Sequence, residues 1–151
     1  MRLFARIGTA LMVVTAVAMG TAGVASAEPA TFRVDVKHST GGLAASTWGD
    51  ISWSTSQRTV TISNARLFVR GGEKARVTWT AYQGSTQIGG GYVDELDQVG
   101  RPNFTKNYDP FYLTSTVPGG IDRVDISLYD DGHIILSWGF CHFSRPSCTT
   151  S

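Results

Sequence analysis

Apolar and polar residues alternate along the stretch from Ile121 to Cys141, IDRVDISLYDDGHIILSWGFC. A period of two residues is the pattern of β-strands that bury one face. Two aspartates and a glycine interrupt the alternation, so the stretch predicts a β-hairpin. A three-residue loop would set Leu128 opposite Ile134 and Val124 opposite Trp138, which makes one face wholly apolar. The sequence therefore predicts a buried hairpin with Trp138 in the core.

The same hairpin could instead close with a two-residue turn at Asp131-Gly132. That turn would set Ile126 opposite Ser137, and a slip of one residue turns the other face of a strand toward the core. Because this arrangement would bury a polar residue in place of apolar ones, we expect the three-residue loop.

Further alternating runs cover most of the remaining chain. In one pair of runs, Trp53 opposite Val60 also places Ile51 opposite Ile62, so a second hairpin has a consistent register. The glycines that follow Val69 favour a crossing between two sheets. We count eight or nine short strands and no convincing helix, which predicts an all-β fold: one two-sheet antiparallel β-sandwich, immunoglobulin-like or similar, over residues 28–151.

The first 27 residues have the order of a secretory signal peptide. Arg2 and Arg6 precede an apolar run from Ile7 to about Met19, and the small residues 25–27 predict cleavage after Ala27. The apolar run is shorter than the roughly 20 residues that span a bilayer, so we expect no membrane span. Export leaves a nearly neutral protein, because the leader removes two of the 13 basic groups and none of the 12 acidic ones. Near-neutral charge argues against nucleic acid as a partner.

Cys141 and Cys148 are the two cysteines of the chain, and in an exported protein they predict one disulfide. The bond would clip the chain end against the sandwich. A short disulfide ring is also a shape that a protease inhibitor can use, since a rigid loop loses little entropy on binding. In that alternative Phe143-Ser144 would be the reactive bond of the 141–148 loop.

Two motifs suggest a group of related proteins. The runs W-G-x-I-x-W at Trp48 to Trp53 and V-x-I-x-x-A-R-L at Val60 to Leu67, with the leader and a cysteine just after the last strand, resemble the small exported β-sandwich proteins of actinobacteria. The resemblance spans most of the mature chain and implies the same sandwich architecture. That group has no assigned activity, so no catalytic or binding residue is carried over from it.

The sequence contains no dinucleotide, phosphate-loop, zinc or serine-hydrolase motif, so it predicts no cofactor and assigns no catalytic residue. The densest acidic group is Asp94, Glu95 and Asp97. These carboxylates could serve a small secreted hydrolase or bind calcium, but they lack the spacing of either kind of site. An acidic loop is more often simply solvated, so no metal ligand is assigned.

Aromatic rings outside the core are the residues most suggestive of binding, because they supply contact area at little entropy cost. The candidates fall at outward positions or in the long stretch Asp94 to Pro110, which shows no alternation and predicts a functional loop: Trp48, Tyr82, Phe104 and Tyr108. The sequence therefore predicts a secreted, extracellular, non-catalytic module that binds a polysaccharide or a protein.

Overall fold

The computed structural model describes residues 29–89, 91–129, 134–145 and 147–150. These residues form eleven strands and no helix, so the all-β prediction is confirmed with a higher strand count. The strands are β1 Ala30–Lys37, β2 Leu43–Trp53, β3 Thr59–Val69, β4 Lys74–Gln83, β5 Thr86–Gln87, β6 Tyr92–Asp97, β7 Phe104–Asn107, β8 Phe111–Thr114, β9 Arg123–Tyr129, β10 Ile135–His142 and β11 Thr149–Thr150. The predicted signal peptide and the predicted hairpin loop lie outside the described residues.

Two antiparallel sheets pack face to face. The first sheet has the order β1-β2-β3-β7, with β8 also paired to β3. The second has the order β11-β10-β9-β4-β5, with β6 also paired to β4. One core of buried apolar side chains lies between the sheets, and its largest fully buried side chain is Trp79. In the described residues no helix is long and apolar enough to cross a membrane.

The first sheet confirms most of the predicted register. Ile51 lies opposite Ile62 and Trp53 opposite Val60, as the alternation requires. The chain then leaves β3 for the other sheet at Gly71-Gly72, which confirms the predicted crossing.

A β-bulge at Asn64 joins two runs that the sequence presents separately. Trp48 pairs with Arg66 and Asp50 pairs with Ser63, so Asn64 is an extra residue on β3. Its φ is +51°, a left-handed conformation that asparagine tolerates, and its side chain donates a hydrogen bond to Asp50 Oδ2 at 2.6 Å. The bulge shifts the inward positions from even to odd numbers, which keeps the whole strand amphipathic.

The predicted register of β9 and β10 is wrong. Trp138 lies opposite Ser127, and the inward residues of β10 are Ser137, Gly139 and Cys141. Trp138 points outward with 44% of its surface exposed, so its assignment to the core is corrected.

This register is explained by the limited space on the inward side of β10. A Cβ atom on Gly139 would lie 3.0 Å from Cγ2 of Val34 on β1 and 3.1 Å from the carbonyl oxygen of Thr149 on β11. The inward side of β10 therefore accepts small residues, and the larger ones turn to solvent.

The predicted loop from Asp94 to Pro110 is also wrong in part. Residues 94–97 continue β6, and residues 104–107 form β7 at the edge of the first sheet. Short edge strands such as these have too few residues for a clear alternation. The stretch therefore carries the chain from the second sheet to the first through two paired strands, β6 and β7, rather than through one long loop.

Candidate binding face

The outward side chains of β4, β9 and β10 form one continuous surface on the second sheet, which we call the ring face. Cross-strand pairing arranges them in four rows, because directly opposed residues of antiparallel strands point to the same side. The rows are Tyr82-Arg123-His142, Thr80-Asp125-Phe140, Thr78-Ser127-Trp138 and Arg76-Tyr129-Ile135.

The β10 side of the ring face is a line of rings. Trp138 and Phe140 are stacked, with centroids 5.4 Å apart and planes inclined by 21°. Phe140 meets His142 edge to face at 5.5 Å. Ile135 continues the line and is 52% exposed. Exposed large apolar groups that adjoin one another are unusual on a protein that has no partner for them.

The β9 column supplies the charges of this face. Arg123 donates hydrogen bonds from Nε to Asp125 Oδ1 at 2.7 Å and from an Nη atom to Asp125 Oδ2 at 3.2 Å. The two residues are neighbours on the same side of the strand, which fixes this two-bond pairing. The guanidinium carbon also lies 4.4 Å from the ring centroid of Tyr82. Arg123 is therefore held flat between a carboxylate and an aromatic ring.

Two shallow clefts lie on the ring face, and Trp138 and Asp125 line both of them. One has a volume of about 300 Å³ and is completed by Arg123, Phe140 and His142. The other has a volume of about 270 Å³, and its remaining lining residues are Thr80, Tyr82, Ser127, Tyr129 and Ile135. A ligand can thus contact the same exposed indole from either side.

The four predicted binding residues do not come together. Tyr82 lies on the ring face, whereas Trp48 lies on the outer face of the first sheet. Phe104 is half-exposed at the edge strand β7. Tyr108 is partly buried against the core, where its ring meets Trp79 edge to face at 5.6 Å, so it is not an exposed loop residue.

Tyr108 belongs to a polar contact that joins the two sheets. Its hydroxyl and the Lys106 ammonium donate hydrogen bonds to Asp94 Oδ2 at 2.7 and 2.6 Å. Burial raises the pKa of Asp94, but these two hydrogen bonds outweigh it and hold the pKa below its usual value. Burial and the neighbouring carboxylate raise the pKa of Tyr108, so the phenol stays protonated.

The three carboxylates at residues 94–97 do not form one acidic group, because each of them has its own partner. Asp94 is bound as described, and Glu95 forms an ion pair with Lys74 at 3.1 Å. Asp97 accepts a hydrogen bond from the backbone of Val99 at 2.8 Å. Among the described residues, no group of three histidine, cysteine or acidic side chains could hold a metal ion.

Trp48 lies in a larger cleft on the first sheet, about 590 Å³ in volume. Arg33 and Arg66 flank it in one cross-strand row, and the Arg33 guanidinium carbon lies 5.5 Å from the indole centroid. Asp50, bonded to Asn64, also lines the cleft. Two arginines and one aspartate line this cleft, and its aromatic ring is partly buried beneath the Arg33 guanidinium.

The predicted disulfide is confirmed. Cys141 and Cys148 are bonded, and β11 follows directly and pairs with β10 at Gly139 and Phe140. Phe143, inside the ring, packs edge to face on Trp53 with centroids 6.3 Å apart. An inhibitor must present its reactive residue to a protease, so this inward packing of Phe143 argues against the inhibitor alternative.

Sequence reasoning missed the principal members of the ring face, because it assigned Trp138 to the core. One signal could have found them. Cys141 is buried and disulfide-bonded, and Gly139 and Ser137, two and four residues before it on β10, share its inward face. That parity turns Trp138, Phe140 and His142 outward.

Searches of family models, curated proteins and solved structures find no match to this chain. The functional conclusion therefore depends on the geometry of the chain itself.

Proposed function

We propose that this chain is a secreted, non-catalytic β-sandwich that binds an extracellular partner, a polysaccharide or a protein, through the ring face. The observation that carries the proposal is the exposed, stacked Trp138, which projects between two clefts. Aromatic anchors at the centre of a binding surface supply most of the binding free energy in many complexes. The leader-like sequence and the disulfide support an exported protein.

The lining of the clefts favours binding over catalysis. Glycoside hydrolysis needs two carboxyl groups flanking the reacting bond. The described residues that line the two clefts include one carboxylate, Asp125, and both of its oxygens already accept hydrogen bonds from Arg123. A hydrolase is therefore the weaker alternative.

A pull-down can test the ring face directly. Immobilised mature protein would be incubated with cell-wall fractions and culture proteins, and captured polysaccharides and proteins would be identified by sugar analysis and mass spectrometry. We expect Trp138→Ala to lose the captured partner, because the central anchor is gone. Trp48→Ala is the matched control, since it removes the same side chain from the other outer face.

The opposite pattern would contradict the proposal. If Trp48→Ala loses the partner and Trp138→Ala keeps it, the binding surface lies on the first sheet. Melting temperatures of both variants would show that the loss of capture does not reflect unfolding.

A further inference from the structure

We propose that the ligand of the ring face is an uncharged oligosaccharide, an inference that rests on the proposed function and names its partner. Sugar rings would stack on Trp138, and their hydroxyls would bond to Asp125, Arg123 and Ser127. This ligand is supported by the exposed indole, by the hydroxyl and planar polar groups of the clefts, by the cancellation of charge between them and by the length of the face.

The exposed indole of Trp138 provides an apolar contact for a sugar ring. A sugar ring carries an apolar face of C–H groups, and it can lie flat on an aromatic ring that solvent reaches. Trp138 offers such a ring, because its cross-strand neighbour is the short Ser127 and 44% of its surface is exposed. Stacking on Phe140 fixes the orientation of the indole before any ligand arrives, which reduces the entropy lost on binding.

The floor of the clefts carries polar groups that can bond to sugar hydroxyls. Short hydroxyl side chains, Ser127 and Thr80, lie beside Asp125, so the middle of the face is low and polar. Asp125 retains acceptor capacity after its two bonds to Arg123, and the Arg123 guanidinium has more N–H donors than those two bonds use. Adjacent donors and acceptors of this kind match the paired hydroxyls of a sugar.

The charged side chains that line the two clefts balance one another. Arg123 and Asp125 form an ion pair at 2.7 Å, so their charges neutralise each other. In the described part of the two clefts, no further acidic or strongly basic side chain lines the surface, and Arg76, in the last row of the ring face, lies outside both linings. A strongly anionic chain would therefore gain little, whereas a neutral hydroxylated chain matches the balanced field.

The ring face is long enough for more than one sugar ring. The four rows from Tyr82 to Arg76 extend over seven residues of β4, which are six steps and roughly 20 Å at normal strand rise. Trp138 lies within this span with a cleft on each side. The face thus has room for several linked sugar rings, which favours an oligosaccharide over a monosaccharide.

Affinity electrophoresis of the mature protein would test the inference. The gels would contain hydroxyethylcellulose, galactomannan or laminarin as neutral polysaccharides, polygalacturonate as an anionic one, or no polysaccharide. We expect retardation in at least one neutral gel and not in polygalacturonate. Trp138→Ala should weaken the affinity about tenfold or more, because it removes the central aromatic anchor. Asp125→Ala should weaken it as well, and Trp48→Ala should leave it unchanged.

The outcomes separate this inference from the proposed function. Retardation in polygalacturonate alone, or migration unaffected by every neutral polysaccharide, would overturn the oligosaccharide. In that case, Trp138-dependent capture of a culture protein in the pull-down would still support the proposed function. Equal retardation of wild type and folded Trp138→Ala would overturn the oligosaccharide at the ring face, and it would overturn the proposed function as well if Trp138→Ala also keeps the captured partner in the pull-down. Ile134→Ser, which changes an apolar residue outside the two clefts, is expected to retain full retardation in the same gels.

Discussion

The two outer faces of the sandwich carry the same short sequence elements in different environments. Arg-Val-Asp is followed at the same spacing by Trp-Gly in both sheets, at residues 33–49 in the first and 123–139 in the second. In each case arginine and aspartate pair on the outer surface, tryptophan points outward and glycine points inward. The two units differ in how the strands are aligned.

In the first sheet Arg33 lies directly opposite Trp48, and its guanidinium covers the indole. In the second sheet Arg123 lies opposite His142, and Trp138 is opposite Ser127. A different register therefore leaves one tryptophan beneath a cation and the other beside a short hydroxyl residue. The comparison shows that strand register, more than local sequence, decides which side chains lie beside each outward tryptophan.

The largest expected difference between the two units is at their glycines. A Cβ atom on Gly49 would lie 2.9 Å from Cα of Ala65, a backbone atom that cannot move alone. On Gly139 it would lie 3.0 Å from a methyl group of Val34, which can shift, and 3.1 Å from the carbonyl oxygen of Thr149 in the two-residue strand β11. We expect Gly49→Ala to cost about 2 to 3 kcal/mol and Gly139→Ala about 1 kcal/mol, from overpacking. Urea denaturation midpoints would measure both, and the reverse order would break the comparison.

The second largest expected effect is a pH dependence of stability that arises from Asp35 in the first sheet. Burial raises the pKa of Asp35, but hydrogen bonds from Ser46 and Arg33 outweigh it and hold the pKa below the ordinary 3.8. The folded pKa is thus lower than the unfolded one, so this contribution to stability is present above pH 3.8 and is lost as the pH falls through that value toward the folded pKa. Asp35→Asn should remove about 1 kcal/mol at neutral pH and flatten the acid side of the stability profile.

Thermal unfolding of wild type and Asp35→Asn between pH 7 and about pH 2 would measure this effect across the carboxyl titration range. Ser46→Ala removes one of the two hydrogen-bonding partners and should produce part of the same change. Parallel profiles for wild type and Asp35→Asn would contradict the assignment.

The smallest expected effect is the loss of stability on removing the exposed ring. Trp138→Ala should cost about 1 kcal/mol or less, well below the roughly 3 to 5 kcal/mol that removal of a buried large aromatic costs. Trp48→Ala should cost more than Trp138→Ala, because Trp48 is half-buried beneath Arg33. Chemical denaturation of the two variants would measure the difference. A large loss for Trp138→Ala would show that the ring is part of the core.

Much of the fold could be predicted from alternation, and the reason is visible in β4. Its inward residues are Ala75, Val77, Trp79 and Ala81, all buried, and its outward ones are polar, aromatic or charged. A strand in the middle of a sheet has one apolar face, so the pattern has one interpretation. The pairing of Ile51 with Ile62 was predictable for the same reason.

The strand β10 could not be predicted in this way, because its outward face is the more apolar of the two. Alternation shows which residues share a face, but it does not show which face is inside. Here a Cβ atom on Gly139 would lie 3.0 Å from Val34, so the packing of two strands far apart in sequence favours small residues on the inward face. Because the candidate site lies on this strand, the same error concealed the ring face from sequence reasoning.

The short strand β11 has a consequence for how the molecule meets other copies of itself. Without it, the outer edge of β10 would offer unpaired backbone groups beside Trp138 and Phe140, an arrangement that invites strand addition and aggregation. Two residues form too few hydrogen bonds to stay paired by themselves. The Cys141–Cys148 bond keeps them at high effective concentration next to their partners Gly139 and Phe140. The disulfide therefore helps to keep the outer edge of β10 covered beside Trp138 and Phe140.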